Sequence, residues 1–410
     1  MQKRQKLGIS VSALFLTATL ATAPLTALAS GPGEIPANFA AAGGAAPTYG
    51  AAAEIVSYTD LVHRSYDVSY QKAVVMQKAI AALLAKPSDK TLAAARASWL
   101  DAHITYSLTE SYRFYEGPID FAKTADGDEG PEGRLNAWPL NEAFIDYVKG
   151  NPKAGIINDP SIKLTEKSIR ERDQAADEKD VATGFHAVEF LLWGQDLSDT
   201  GAGNRPATDY IAGKNNNDRR RLYLTTVTEG IVNDLLWLSA QWDTRLGKTY
   251  VHKFVALDQR EALGRMLTGM ANLAGSELAI ERMSVALESG DQEDETSCFS
   301  DTSHKVFIAD HQSVVNVWSG TYGDWKGQGL VGLVERVNPD LARQVTAQMK
   351  KTSASLAAIP HPIDHNVLAT SKGSEGRKKM EAAIEDLIAE SKLLVAVGQA
   401  LGITITVASN

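Results

Sequence analysis

The amino-acid sequence predicts an all-α protein made of two packed helix bundles. Apolar residues recur every three or four positions through several long segments, which is the pattern of a helix with one buried face. No proline interrupts the chain between Pro206 and Pro339, so helices can continue there unbroken. The alternation of apolar and polar residues that marks a strand is scarce outside the short tail 403–407. Two bundles of comparable size would fit an ancient internal duplication, although no repeat is visible in the sequence.

The composition is that of a folded, water-soluble protein. The 410 residues allow two domains of ordinary size. With 44% hydrophobic and 22% charged residues, the chain resembles neither a disordered protein nor a polytopic membrane protein. The formal net charge is −9, whereas proteins that bind nucleic acids usually carry a basic surface. No nucleic-acid partner is therefore expected. An acidic chain attracts cations instead.

The first 29 residues have the layout of a cleavable secretory signal peptide. Three basic residues within the first six positions precede an apolar run that ends near Leu20. Ala27 and Ala29 then place small residues at −3 and −1 from a cut after Ala29. No cysteine follows the apolar run, so a lipoprotein anchor is not expected. We therefore expect a periplasmic protein with no membrane span left after cleavage.

Cys298 is the single cysteine of the chain. One cysteine can form no internal disulfide and cannot build a cysteine-based zinc site. The expected role of Cys298 is that of a small buried hydrophobic residue.

Residues 30–53 are rich in Ala, Gly and Pro and predict a flexible tether. So few large apolar side chains cannot offset the entropy that ordering would remove. The N-terminal bundle is predicted over residues 54–205. Its expected helices lie at 54–85, from 88 or 89 to 117, at 141–149, and from 165 to 193 with an interruption near Gly184.

The C-terminal bundle is predicted over residues 206–410. Its last expected helix ends at Gly402, a residue type that favours helix C-termini. The expected helices, each with apolar recurrence at three and four residues, lie at 222–242, 257–288, 303–318 and 375–401.

The sharpest local feature is the segment Gly184-Phe185-His186-Ala187-Val188-Glu189, which an apolar run follows. On a helix, His186 and Glu189 project from the same face. An imidazole nitrogen and a carboxylate oxygen at this spacing can both reach one cation about 2 Å away, and di-iron bundle proteins use the mirrored Glu-x-x-His spacing. The same spacing also suits a hydrogen bond between two buried polar groups, so the residues alone leave both interpretations open.

The local sequence does not support a zinc peptidase site. Zincin motifs carry two histidines and a glutamate, whereas Phe190 follows Glu189 and the second histidine is missing. One histidine with several carboxylates suits a harder ion, iron above all, so zinc is the less favoured metal.

Further carboxylates lie on other helix faces. Glu110 ends a helix stripe that contains Trp99, His103 and Tyr106. Such a stripe can point the carboxylate toward a cation. The ordinary alternative is an ion pair between Glu110 and Arg113.

Three other acidic segments carry weaker signals. Glu277 and Glu281 follow apolar residues on one predicted helix face, so both carboxylates are expected to point toward a partner. For Glu281 a surface ion pair is an equally good interpretation. The acidic run 291–295 predicts a solvated loop. The segment 361–365 holds two histidines and an aspartate, but Pro362 indicates a loop, and we expect exposed polar surface there.

Four blocks of sequence, taken in order, resemble the imelysin-like family in its iron-regulated-protein-A branch. The family's GxHxxE motif falls on Gly184, His186 and Glu189. After Asp301 the family tends to show Asn-Thr-His, a basic residue and Asp, whereas this chain has Thr302-Ser303-His304-Lys305-Val306. The resemblance extends over about residues 96–325 and rests on the blocks 109–120, 133–140, 184–196 and 275–301.

The resemblance implies an exported, two-domain, all-α protein whose site lies where the bundles meet. The family is associated with bacterial iron uptake, and some members are described as metallopeptidases. His186 and Glu189 become site residues by this resemblance, and we expect them to ligate a metal ion together with Glu110. The candidates that line the site, by resemblance or by helix stripe, are Arg113, Trp138, Glu142, Glu277 and Asp301.

Three functions remain open at this point. The first is a periplasmic protein that binds iron for uptake or handling, with iron-transport components of the periplasm or inner membrane as partners. Its affinity is expected to fall as pH drops through the range where histidine protonates. The second is a metal-dependent peptidase in which Glu189 or Glu110 acts as base. The third is a metal-free module that binds a peptide or a partner.

Overall fold

The computed structural model describes residues 49–125, 129–198 and 200–408. These residues form fourteen α-helices and one hairpin of two-residue strands, which confirms the all-α prediction. The predicted signal peptide and most of the predicted tether, up to residue 48, lie outside the described residues. None of the described helices combines the length and the apolar character needed to cross a bilayer.

The N-terminal half contains two long helices followed by short ones. Its α-helices are α1 (Ala52–Ala85), α2 (Asp89–Ser107), α3 (Glu132–Asn136), α4 (Glu142–Ile145), α5 (Glu166–Arg170) and α6 (Gly184–Trp193). Single 3₁₀ turns lie at Glu110–Tyr112, Ile156–Asn158 and Ala207–Tyr210.

Local hydrogen bonds explain where these helices differ from the prediction. Helix α2 begins after the expected cap Ser88, whose hydroxyl accepts from the Thr91 N–H. It ends at Ser107 rather than near residue 117, because the N–H and the hydroxyl of Thr109 both donate to the Tyr106 carbonyl and tighten the chain into a 3₁₀ turn. The helix expected over 165–193 is two helices separated by a loop. In that loop Asp173 accepts hydrogen bonds from residues 182 and 183.

The C-terminal half contains longer helices. They are α7 (Asn217–Trp242), α8 (Tyr250–Val255), α9 (Gln259–Asn272), α10 (Val285–Ser289), α11 (Ser303–Ser319), α12 (Leu330–Val337), α13 (Pro339–Ala357) and α14 (Glu375–Ala400). A π-helix over Leu273–Ser284 joins α9 to α10, so the helix predicted at 257–288 is continuous but changes its winding in the middle. Shorter elements are the 3₁₀ turn Gln292–Asp294, the strands Thr321–Tyr322 and Trp325–Lys326, and the π-helix Asp364–Leu368.

Helix packing joins the two halves of the chain. Helix α1 packs along α2 and α7, and α2 also contacts α6 and α11. Helix α14 packs on α13 and on the π-helix Leu273–Ser284. The described residues group as one compact unit, and the contact of α1 with α7 crosses the predicted boundary at 205/206. The division into bundles at that boundary stays a prediction.

Helix α6 lies in the middle of the core, and all ten of its residues are buried. Its first residue, Gly184, has a φ of +81°, and a Cβ there would lie 2.5 Å from the Leu135 carbonyl oxygen. The Trp99 indole donates to the Phe185 carbonyl at 2.9 Å and fixes the first turn from the α2 side. His186 and Glu189 are therefore the polar members of a helix that is otherwise apolar and rigidly held.

Candidate metal centre

The side chains of His186 and Glu189 meet one turn apart on α6. Nδ1 of His186 lies 2.9 Å from Oε2 of Glu189, and the two residues are 2% and 0% exposed. The spacing in the sequence predicts this convergence, because residues three apart share a helix face. The pair therefore brings one nitrogen and one oxygen ligand atom together in a water-excluded environment.

The second carboxylate oxygen of Glu189 links α6 to the loop that precedes α11. Oε1 accepts hydrogen bonds from the backbone N–H of Ser300 at 3.0 Å and from its hydroxyl at 2.6 Å. The Ser300 hydroxyl also lies 2.7 Å from that of Thr302. Phe190 and Phe299 pack beside this link with ring centroids 5.3 Å apart. The position of the 299–302 loop therefore depends on Glu189.

Burial leaves both members of the pair uncharged near neutral pH. It raises the pKa of Glu189 to about 8, although the hydrogen bonds from Ser300 act in the opposite direction. Burial also lowers the pKa of His186 to about 3, and the positive charge of Arg282 adds to this effect. Oε1 accepts two hydrogen bonds, so the carboxyl proton belongs on Oε2, where it can donate to Nδ1.

Replacing Glu189 with glutamine is expected to reduce the dependence of stability on pH. A glutamate in the unfolded chain loses its proton near the ordinary pKa of 4.5, whereas folded Glu189 keeps its proton up to about 8. The folded state therefore binds more protons between these values, and this group's contribution to the unfolding free energy falls as pH rises through that window. Urea unfolding of the metal-free protein at pH 5.5 and 8 measures the change, which should be smaller in E189Q. An unchanged difference would contradict the raised pKa.

His103 connects the pair to a third polar group. Its ring is edge-on to that of His186, with centroids 5.1 Å apart, and its Nε2 lies 3.0 Å from Oδ1 of Asn136. The amide nitrogen of Asn136 donates to Glu110 at 3.4 Å. The other ring nitrogen of His103, Nδ1, is buried without a hydrogen-bond partner. Burial lowers the pKa of His103 to about 3, so this ring is also neutral.

The structure places Glu110 in an ion-pair network. Its Oε2 accepts from Arg113 at 2.6 Å and from Arg282 at 2.7 Å. Burial alone would raise the pKa of Glu110, but the two guanidinium groups outweigh it and hold the pKa at about 2. Arg282 also donates to Asp310 at 2.9 Å, and burial raises the pKa of Asp310 to about 8 despite this contact. Glu110 is thus the ionised partner, and its Oε2 is engaged by two guanidinium groups while its Oε1 accepts only the long bond from Asn136.

Comparison with known proteins identifies the family of the chain and its fold. A family model of imelysin matches residues 62–394, which include every predicted site residue. The chain belongs to the imelysin family. A curated relative, iron-regulated protein A of Synechococcus elongatus, is 23% identical over 330 residues, which are 76% of each chain.

Two solved structures share the imelysin fold with this chain. The first is described as an iron-regulated protein A precursor from Parabacteroides distasonis, with a TM-score of 0.67 and 19% identity over 88% of this chain and 97% of that one. The second is an imelysin-like protein from Psychrobacter arcticum, with a TM-score of 0.63 and 14% identity over 88% of this chain and 99% of that one. At such identities the likeness concerns the fold.

The remaining candidates in this imelysin chain divide between two places. Arg113 and Glu277 belong to the Glu110 network, because Arg113 lies 3.5 Å from Glu277. Glu142 accepts from Gln195 at 2.9 Å, and burial raises its pKa to about 7. Trp138 is partly exposed in the loop after α3. None of these is joined to the His186–Glu189 pair by a direct hydrogen bond in the described chain.

Asp301 follows Ser300 directly and faces two further aspartates. Ligand oxygens of Asp196, Asp301 and Asp364 all lie within 4.8 Å of one another, and they are the one group of three such ligands among the described residues. The expectation that segment 361–365 is exposed polar surface is wrong for Asp364, which is 5% exposed at the start of a π-helix. The loop that Pro362 predicted is limited to residues 361 and 362, because Asp364 begins the π-helix, and nothing in the sequence indicated that this turn is buried.

Proposed function

We propose that this imelysin-family chain binds one iron ion at the pair formed by His186 and Glu189, as an exported protein of bacterial iron uptake or handling. The observation that carries the proposal is the 2.9 Å separation of Nδ1 and Oε2 inside the protein. Two ligand atoms that lie about 2.1 Å from one ion at right angles are about 3 Å apart. The pair therefore needs little rearrangement to chelate a cation.

The chemistry of the two donors suits iron. Imidazole and carboxylate are both iron ligands, and the lowered pKa of His186 keeps its ring in the neutral form that binds metals. The proton that competes with a cation is then the one on Glu189, because that carboxyl keeps its proton up to about pH 8. Affinity should accordingly fall as pH drops below about 8, rather than in the histidine range expected from the sequence.

Glu110 contributes charge rather than a ligand atom in this proposal. Its Oε2 accepts from Arg113 and Arg282, and these two cations hold the carboxylate within the ion-pair network. The ring centroid of His103 lies 5.1 Å from that of His186, and its Nδ1 is a buried nitrogen without a hydrogen-bond partner.

Relatives and sequence pattern support the iron and export parts of the proposal. The curated relative and one similar solved structure both carry the name iron-regulated protein A. The signal-peptide pattern of residues 1–29 supports export to the periplasm. The partners that we propose are iron-transport components of the periplasm or inner membrane.

Iron binding should weaken by at least about 100-fold when either donor of the pair is removed. Loss of a residue that only orients a metal ligand commonly weakens binding 10–100-fold, and loss of the ligand itself should exceed that. The measurement is equilibrium dialysis of purified, metal-free protein against buffered iron, with wild type, His186→Ala and Glu189→Gln side by side.

Surface substitutions of the same kind serve as controls. His252→Ala on α8 and Glu385→Gln on α14 change exposed residues and should bind iron like wild type. Circular dichroism verifies that each variant is folded. Wild-type affinity in folded His186→Ala and Glu189→Gln would overturn the proposal.

The burial of the pair disfavours a metallopeptidase at this centre. A peptide bond must reach both the metal and the base within hydrogen-bond distance. His186 and Glu189 are almost fully buried, so a polypeptide substrate has no direct access to them. Binding of a small cation makes a much smaller demand on access than cleavage of a chain.

A further inference from the structure

We propose that Asp196, Asp301 and Asp364 form a second cation site, separate from the His186–Glu189 pair, that takes a hard, oxygen-preferring divalent cation of the calcium and manganese class. This inference does not rest on the proposed iron site. The three carboxylates come from three distant segments of the chain: the loop after α6, the loop before α11, and the π-helix Asp364–Leu368.

The distances between the carboxylates fit a single ion. One oxygen from each aspartate lies within 4.8 Å of the other two. Calcium binds oxygen at about 2.3–2.6 Å, so oxygens on opposite sides of one calcium ion are separated by up to about 5 Å. Three ionised carboxylates held this close repel one another, and either a proton or a cation between them relieves the repulsion.

Asp364 supplies the observation that points to a missing partner. Asp364 is 5% exposed, and its Oδ1 has no hydrogen-bond partner. Its Oδ2 lies 3.1 Å from Nε2 of His365 but does not have hydrogen-bond geometry. A buried carboxylate oxygen without a partner is strongly unfavourable, and a bound cation is one of the few ways to satisfy it.

Two neighbouring acids show the same lack of partners. Oδ1 of Asp301 is buried without a hydrogen-bond partner, and so are both carboxylate oxygens of Glu295, which is 2% exposed. Burial, together with repulsion from Asp364 and Asp196, raises the pKa of Asp301 to about 7. Burial likewise raises the pKa of Glu295 to about 8. The raised pKa values mean that these two carboxyls keep protons that a bound cation would displace.

The donor set selects the class of cation. The three ligand atoms are all carboxylate oxygens, which suit calcium and manganese better than the softer ions that prefer sulfur or nitrogen. Magnesium requires near-ideal octahedral geometry, whereas calcium accepts the irregular arrangement that three separate segments provide. A bound ion would cross-link these segments, and it would stabilise the folded state by mass action.

The test is a titration of the purified, metal-free protein with calcium chloride and with manganese chloride. We expect one ion per chain by isothermal titration calorimetry and a higher thermal midpoint on binding. Asp364→Asn keeps the shape of the side chain and should weaken binding at least tenfold. Asp340→Asn, an exposed residue on α13, is the matched control and should bind like wild type.

His186→Ala separates this site from the proposed iron site. It should bind calcium and manganese like wild type even where it has lost iron. Wild-type protein that binds neither ion at millimolar concentration would overturn the second site. Equal affinity in wild type and folded Asp364→Asn would overturn it as well, whatever the outcome for iron.

Discussion

Replacing Arg282 with alanine is expected to lower the free energy of unfolding by about 3–5 kcal/mol. Arg282 is 1% exposed and donates to Glu110, Glu277 and Asp310 at 2.7–3.1 Å. Removal of the guanidinium leaves a buried, ionised Glu110 with one cation instead of two. The same change opens a cavity at the π-helix Leu273–Ser284, where the arginine stem packs.

The measurement is urea unfolding followed by circular dichroism, at one pH and without added metal. Arg343→Ala on α13 is the control, because that arginine pairs with Asp340 at the surface. Exposed pairs contribute between zero and about 1 kcal/mol, so the control should change stability little. A loss of unfolding free energy below about 1 kcal/mol in Arg282→Ala would show that the ion pairs of Arg282 contribute little to the stability of the fold.

Replacing Gly184 with alanine is expected to destabilise the fold by about 2–4 kcal/mol. The φ of +81° is unfavourable for any residue with a Cβ, and the added Cβ would lie 2.5 Å from the Leu135 carbonyl oxygen. Backbone on both sides of this contact must move. Because Gly184 begins the helix that carries His186, the same shift should displace the pair.

Gly230→Ala is the matched control for this prediction. Gly230 lies inside α7, and a Cβ there would meet no atom within 4 Å. Alanine is favoured over glycine in a helix interior by up to about 1 kcal/mol, so Gly230→Ala should be neutral or stabilising. Opposite signs for the two substitutions would establish that the motif requires a glycine for steric reasons. Equal effects would contradict that interpretation.

Periodicity predicted the long helices well, because their buried faces repeat over many turns. The predicted ranges 54–85, 303–318 and 375–401 differ from α1, α11 and α14 by at most two residues at either end. The end of α2 was predicted too late because it depends on hydrogen bonds of Thr109, which helical periodicity does not register. The sequence of residues 273–284 likewise carries no pattern that distinguishes a π-helix from an α-helix, so the change in winding was not predicted.

The candidate site was predictable only in part. The His186–Glu189 contact is local, so the spacing of the two residues was sufficient to predict it. The roles of Arg282 and Asp364 depend on partners far away in the sequence, and a single sequence without tertiary contacts cannot indicate them. For Glu110 the sequence left two interpretations open, a metal ligand or an ion pair with Arg113. The structure contains the ion pair.

Ser300 and Asp301 are adjacent in the chain, and each belongs to the surroundings of one of the two proposed cation sites. Ser300 donates to Glu189, and Asp301 belongs to the aspartate group. Asp301 has a φ of +56°, so its backbone is held in a conformation that non-glycine residues rarely adopt. A change at Glu189 can therefore reach Asp301 through one peptide unit, whereas His186→Ala leaves the bonds between Glu189 and Ser300 in place and is the variant that separates the two sites.

The most direct measurement of the iron proposal is anomalous diffraction at the iron edge from crystals of iron-loaded protein. The proposal predicts an anomalous peak within about 2.3 Å of both Nδ1 of His186 and Oε2 of Glu189. An iron peak at any other position, with the 2.9 Å hydrogen bond between the two side chains intact, would contradict it.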